Sequence, residues 1–163
     1  MGVKGLNHAV LWVRDPDASE HFYQAALGFL TVKKMPGRAV FMRAPDSVND
    51  HDLGIFAGGS EAQPSLAGDG GVGLYHLAWE VQTLSELVDH RARLESMGAL
   101  VGQSDHGVTK SLYAKDPDGL EFEVMWEVPS DLLDGITAGT DPLDLDTELE
   151  RYGPELVGGR SHN

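Results

Sequence analysis

The chain has no cysteine. That excludes a disulfide framework and any thiolate metal site, and it fits a reducing, cytoplasmic setting. No apolar run is long enough to span a bilayer, so no membrane role is expected. The first residues, "MGVKGLNHAV", enter a strand pattern rather than a secretory leader. Basic residues are scarce as well: 12 Lys and Arg stand against 26 Asp and Glu, for a net charge of −14. A surface this acidic repels phosphate backbones, which argues against nucleic-acid partners. Part of the excess lies in "DPLDLDTELE" near the C-terminus, where solubility accounts for it. The glycine-rich "AGDGGVG" lacks the lysine and the strand-to-helix setting of a phosphate loop and reads as linker.

What is present is enough for a core. Hydrophobic residues are 41% of 163, which suits one domain or two small tandem modules. Two stretches read almost alike: "GLNHAVLWV" at Gly5–Val13 and "GLYHLAWEV" at Gly73–Val81. Each holds a histidine at the same place before an alternating run. After the first, Asp15 and Pro16 open a helix whose apolar stripe is expected at Ala18, Phe22, Ala25 and Ala26, with Gly28 as its stop. Three strand-like runs follow. After the second, Thr83 and Glu86 form a capping box, Leu84, Leu87, Val88 and Leu94 make the stripe, and Gly98 ends the helix. Strands are expected near Ala99–Val101, Lys110–Lys115 and Glu121–Val128, with "DPDG" at Asp116–Gly119 as a turn.

The expected fold is therefore α+β: two tandem βαβββ modules forming a curved, mostly antiparallel sheet around a metal site. Residues 1–57 form the first module, 58–73 a linker, 74–128 the second module, and 129–163 a partly disordered C-terminal extension. In that extension "PLDLDTELERYG" suggests a short amphipathic helix over the pocket mouth or a neighbouring subunit.

Strand alternation assigns faces. His8 shares one with Val10 and Trp12, His76 with Ala78 and Glu80, and Glu123 with Glu121 and Met125. Phe122, Val124 and Trp126 point the other way, toward helices. A lone strand histidine is usually structural, but repeat symmetry brings two equivalent ones together. His8, His76 and Glu123 then make a two-imidazole, one-carboxylate set suited to Fe(II) or Mn(II), with open positions left for ligands. His21, His90 and His162 read as structural or surface residues, and the three tryptophans as packing.

With these motifs the sequence resembles the vicinal oxygen chelate superfamily, which includes glyoxalase I, fosfomycin-resistance transferases, bleomycin-binding proteins and type I extradiol dioxygenases. The likeness runs from about Gly5 to Trp126. "LNHAVLWVRD", "LYHLAWEV" and "DPDGLEFEV" look like the three ligand strands, which implies His8, His76 and Glu123 as metal ligands. The segment "DHGVTKSLYAKDPDGLEFEV" is most similar to the extradiol branch. By that resemblance His106 and Tyr113 line the pocket, and His51, in "DHDLGIF", is the acid–base catalyst. Leu120 departs from the asparagine frequent in that family. Carrying the His76-to-Glu123 offset back onto His8 lands on Ile55, which cannot act as a fourth protein ligand.

The implied activity is cleavage of a catechol-type diol by O2, with Fe(II), or alternatively Mn(II), in a homodimer or higher homo-oligomer. The alternatives are a fosfomycin-type thiol transferase, a glyoxalase- or epimerase-like isomerase, and a metal-free binding protein. The last would have lost the ligands that this chain keeps.

Overall fold

Both helices begin where the caps place them. In the computed structural model, which describes residues 2–3 and 5–159, α1 spans Pro16–Leu27. The Asp15 carboxylate accepts from the backbone N–H groups of Asp17 and Ala18, and Gly28 closes the helix in the left-handed region at φ 71°. α2 spans Leu84–Ser96. The Thr83 hydroxyl accepts from Glu86 N at 3.2 Å, while the Glu86 carboxylate accepts from Thr83 N at 3.2 Å and Gln82 N at 2.7 Å. Thr83→Ala removes one half of this box and is expected to lower stability by about 1 kcal/mol, read as a small drop in thermal midpoint.

The strands are β1 Ala9–Val13, β2 Leu30–Met35, β3 Ala39–Arg43, β4 Leu53–Ala57, β5 His76–Glu80, β6 Leu100–Asp105, β7 Thr109–Lys115 and β8 Glu121–Glu127. Each half is thus βαβββ, as its sequence suggests. The strands form two four-stranded sheets, in the orders β1-β4-β3-β2 and β5-β8-β7-β6. In each, the first strand pairs in parallel and the other pairings are antiparallel. The chain divides into two compact units: residues 1–65 with Asp116–Gly119, and residues 66–115 with 120–163.

In the first unit, α1 packs on β3 and β4. Its buried face runs through Pro16, Ser19, Glu20, Tyr23, Ala26 and Leu27, not through Ala18, Phe22 and Ala25. The reason is polar satisfaction. Glu20 is held by Thr31 and Lys34, each at 2.5 Å, and Tyr23 donates its hydroxyl to Asp116 at 3.2 Å. Burial, then the charge of Asp116, pushes the Tyr23 phenol well above its ordinary pKa. Arg14 is clamped by Asp118 through its backbone N–H at 3.0 Å and its guanidinium at 2.5 Å.

In the second unit, Leu84, Leu87 and Leu94 of α2 are fully buried, as are Leu112 and Trp126 on the sheet. The expected tail helix is α3, Leu145–Tyr152, and it packs on α2 with Leu145 buried. Residues 129–159 are ordered around it, with a 3-10 turn at Ser130–Leu132. Of the tail expected to be disordered, 158–163, positions 160–163, and His162 with them, lie outside the described residues, while Gly158 N and Gly159 N donate to Gln82 O and Glu127 O.

Candidate functional site

In the first unit two of the singled-out histidines meet. His8 immediately precedes β1, and its ring centroid lies 4.5 Å from that of His51, in the β3–β4 connection. His51 is not a free loop residue. Its ring stands edge-on to Phe41 at 5.2 Å, and its connection is pinned by the nearly buried Asp52. That carboxylate accepts from Ala44 N at 2.9 Å, Ser47 Oγ at 2.8 Å and Asn49 Nδ2 at 2.7 Å. Both imidazoles have Nδ1 against an oxygen: Asn7 Oδ1 at 2.8 Å for His8, Asp50 Oδ2 at 2.7 Å for His51. With Nδ1 protonated toward those acceptors, Nε2 is left for a metal or a proton.

The strand alternation holds here, with Leu11 and Val13 buried and Val10 and Trp12 outward. Trp12 is not a packing residue: it is 72% exposed, because its strand turns it away from α1. It begins an aromatic row, standing 5.8 Å from Phe56, which stands 5.7 Å from Phe41. Trp12 and Phe56, with Met35 and Arg38, line a cavity of about 340 Å3.

The second unit brings together four of the predicted residues. Parallel pairing sets Ala78 opposite Glu123, and antiparallel pairing sets Tyr113 opposite Glu123 on its other side. His76 Nε2 lies 3.1 Å from Glu123 Oε2. The Tyr113 ring is 5.7 Å from that of His76, and its hydroxyl is 2.8 Å from His106 Nε2. Burial, then the negative charge of Glu123, raises the Tyr113 pKa above the ordinary phenol value, so the hydroxyl keeps its proton. Glu123 is only 8% exposed, an unusual place for a carboxylate whose ion-pair partner, among the described residues, is an imidazole.

One feature of this pair suits a divalent cation. Adjacent donors of an octahedral ion with bonds of about 2.1 Å lie about 3.0 Å apart, close to the 3.1 Å between His76 Nε2 and Glu123 Oε2. His76 Nδ1 is buried and has no hydrogen-bond partner among the described residues, so this ring lacks the second anchor that His8 and His51 have. Among the described residues no group of three or more His, Asp or Glu side chains is arranged around one point. The fit is that of one pair, His76 and Glu123; a three-donor set is not assembled among the described residues.

The strand register places the first-unit counterpart of Glu123 one residue before Ile55. Val10 faces Gly54 across β1 and β4, as Ala78 faces Glu123 across β5 and β8. The position matching Glu123 is therefore Gly54, not Ile55, which is fully buried on the opposite face. The segment joining the paired strands is one residue shorter in the first unit, so a fixed offset overshoots. Gly54 carries no side chain, and Val10 packs against it: a Cβ there would come within 3.3 Å of Val10 Cγ2. Two further contributions have no sequence signature at all. One is the Gly139 carbonyl, 3.0 Å from His106 Nδ1; the other is the grip of the turn aspartates on Arg14 and Tyr23.

Comparison with known proteins bears on this geometry. The model of the Glyoxalase/Bleomycin resistance protein/Dioxygenase superfamily matches residues 5–124. Catechol-2,3-dioxygenase of Bacillus subtilis (strain 168) is 30% identical over 158 residues, covering 92% of this chain and 53% of the relative. Biphenyl-2,3-diol 1,2-dioxygenase 3 of Rhodococcus globerulus is 32% identical over 122 residues, covering 73% and 61%. The chain thus spans between half and two thirds of these relatives. Among solved structures, lactoylglutathione lyase from Agrobacterium tumefaciens has a TM-score of 0.58 at 24% identity, covering 77% of this chain and 95% of that one. A mutant of the fosfomycin resistance protein FosX from Listeria monocytogenes, complexed with Mn(II) and a dihydroxypropylphosphonic acid, has a TM-score of 0.57 at 19% identity, covering 93% and 99%.

Proposed function

The chain belongs to the glyoxalase/bleomycin resistance protein/dioxygenase superfamily, and we propose that within it this protein is an extradiol dioxygenase that opens a catechol-type ring with O2. The observation that carries the reading is the surroundings of Glu123: an imidazole on one side and, on the other, a phenol backed by a second imidazole. The names of both curated relatives, dioxygenases of ring diols, support it.

In this reading His8, His76 and Glu123 would hold Fe(II), or alternatively Mn(II). When bound, such an ion acidifies the diol and supplies the redox chemistry that joins ring and oxygen. The remaining steps fall to the chain. Asp50 fixes the His51 tautomer and leaves Nε2 to take up or deliver a proton. Tyr113, with its proton retained, orients a substrate oxygen beside Glu123, and His106 sets the direction of the Tyr113 hydrogen bond. The acidic remainder of the surface suits a small neutral diol better than a polyanion.

The test is Fe(II) loading without oxygen, followed by substituted catechols and air. Oxygen uptake with a yellow ring-opened product is expected. No uptake with any diol, together with thiol addition to an epoxide under Mn(II), would move the assignment to the transferase branch.

A further inference from the structure

The family match stops at residue 124, yet the described chain continues to residue 159. We propose that this C-terminal extension is a positioning element of the second-unit site. Through the Gly139 carbonyl it holds the His106 ring in its Nδ1–H tautomer, and this makes Tyr113 donate to His106 and turn its lone pairs toward whatever binds beside Glu123.

For a neutral ring the hydrogen bonds fix the tautomer. Gly139 O lies 3.0 Å from His106 Nδ1, and a carbonyl oxygen can only accept. A neutral imidazole has one N–H, so that proton is on Nδ1 and Nε2 is bare. Tyr113 O, 2.8 Å from Nε2, must then be the donor. The hydroxyl is therefore an acceptor toward a substrate O–H, the reverse of the donor role its residue type suggests.

The Gly139 carbonyl is where it is because the extension is tied on both sides of it. Gly139 N donates back to His106 O at 3.3 Å. Asp105 and Asp141 exchange two backbone hydrogen bonds, of 2.8 and 2.9 Å, and Gln103 Nε2 donates to Leu143 O at 3.0 Å. The extension thus runs beside β6 as an added antiparallel edge. Beyond it Leu143 and Leu145 are buried, and Glu148 of α3 reaches the buried Lys110 at 3.0 Å. Past α3, Ser85 N donates to Pro154 O at 3.0 Å and Gly159 N to Glu127 O at 2.9 Å. On the near side the extension crosses so close over Gly107 (φ 75°) that a Cβ there would overlap the Thr137 carbonyl.

That closeness supplies the experiment. 15N spectra of the full, metal-free chain at neutral pH are expected to show His106 with a protonated Nδ1 and a bare Nε2. Gly107→Ala drives a methyl against Thr137 and lifts the extension; Asp141→Pro removes the N–H given to Asp105 and loosens it by another route. In whichever variants fold, His106 is expected to move to a mixed or Nε2–H tautomer. With Fe(II) and a catechol, kcat should then fall about tenfold or more, because the substrate oxygen loses its orienting partner, with KM little changed. An Nε2–H tautomer in the unmodified chain overturns the assignment, as does an unchanged His106 spectrum in both variants. The catalytic consequence rests on the dioxygenase reading, but the tautomer does not: a correct tautomer with no catechol turnover refutes that reading and leaves the positioning role standing.

Discussion

Glu123→Gln is expected to abolish metal binding while the fold stays intact. The side chain lies on β8, flanked by β5 and β7, so its backbone hydrogen bonds do not depend on its charge. Glutamine keeps the shape. What it removes is a buried carboxylate whose partner among the described residues is an imidazole rather than a lysine or arginine. Burying such a charge is costly without a cation, so the apo protein should lose nothing and gain slightly in stability. The metal-bound protein behaves differently. Losing a group that merely supports a ligand costs about 10–100-fold in metal affinity, so losing the ligand itself should cost at least the larger figure. Calorimetric titration with Mn(II), or with Fe(II) in the absence of oxygen, measures this directly. A second reading comes from melting. At an ion concentration of about 100 times Kd, binding stabilises the unmodified chain by about 2.7 kcal/mol, and this increment should vanish in the variant. Unchanged affinity would remove Glu123 from the ligand set and with it the proposed chemistry.

How far the sequence reaches depends on the kind of signal. Caps are local, and Asp15, Gly28, Thr83 and Glu86 sit where the pattern puts them. Alternation is local too: Phe122, Val124 and Trp126 are buried together and Val10 and Trp12 emerge together. The repeat of histidine-led strands carries the βαβββ order. Failures arise where partners are distant in sequence. Periodicity misplaces the α1 face because Glu20 and Tyr23 are polar, and what permits their burial is Thr31, Lys34 and Asp116. The Ile55 offset fails because pairing register, not residue count, sets equivalence, and a connection differing by one residue shifts the face. The pattern ends β6 near Val101, but the strand runs to Asp105, since β7 pairs with it that far, and residues far down the chain bridge its edge at Asp105. At the site, the side chains are legible because their chemistry is distinctive. The carbonyl of Gly139 is not, because every residue has one.

That edge also explains where the largest stability effect should lie. Lys110 is 1% exposed, with Asp105 Oδ1 at 2.5 Å and Glu148 Oε2 at 3.0 Å. It joins the sheet to α3 and so closes the C-terminal extension over the second unit. Lys110→Met matches the aliphatic stem but strands two carboxylates in a poorly solvated place. Breaking a buried pair from one side costs about 3–5 kcal/mol, which in a unit of this size lowers the thermal midpoint by roughly 10 °C or more. Adding Asp105→Asn and Glu148→Gln removes the stranded charges and should restore much of the loss, showing that the cost lies in unpaired charge rather than in missing attraction. Acid gives a third check. Burial pushes the Asp105 carboxyl up, but hydrogen bonds from Lys110 and Gly107 N–H outweigh it and hold the pKa below the ordinary value. A depressed carboxylate contributes stability above its unfolded pKa of about 3.9 and loses it as pH falls through the folded value. The unmodified unit should therefore weaken below about pH 4. In Lys110→Met the same protonation relieves repulsion, so its deficit relative to the unmodified chain should narrow as pH falls. Parallel pH profiles for the two proteins would mean that the lysine is not what holds Asp105 ionised, and that the extension is fastened by its apolar contacts alone.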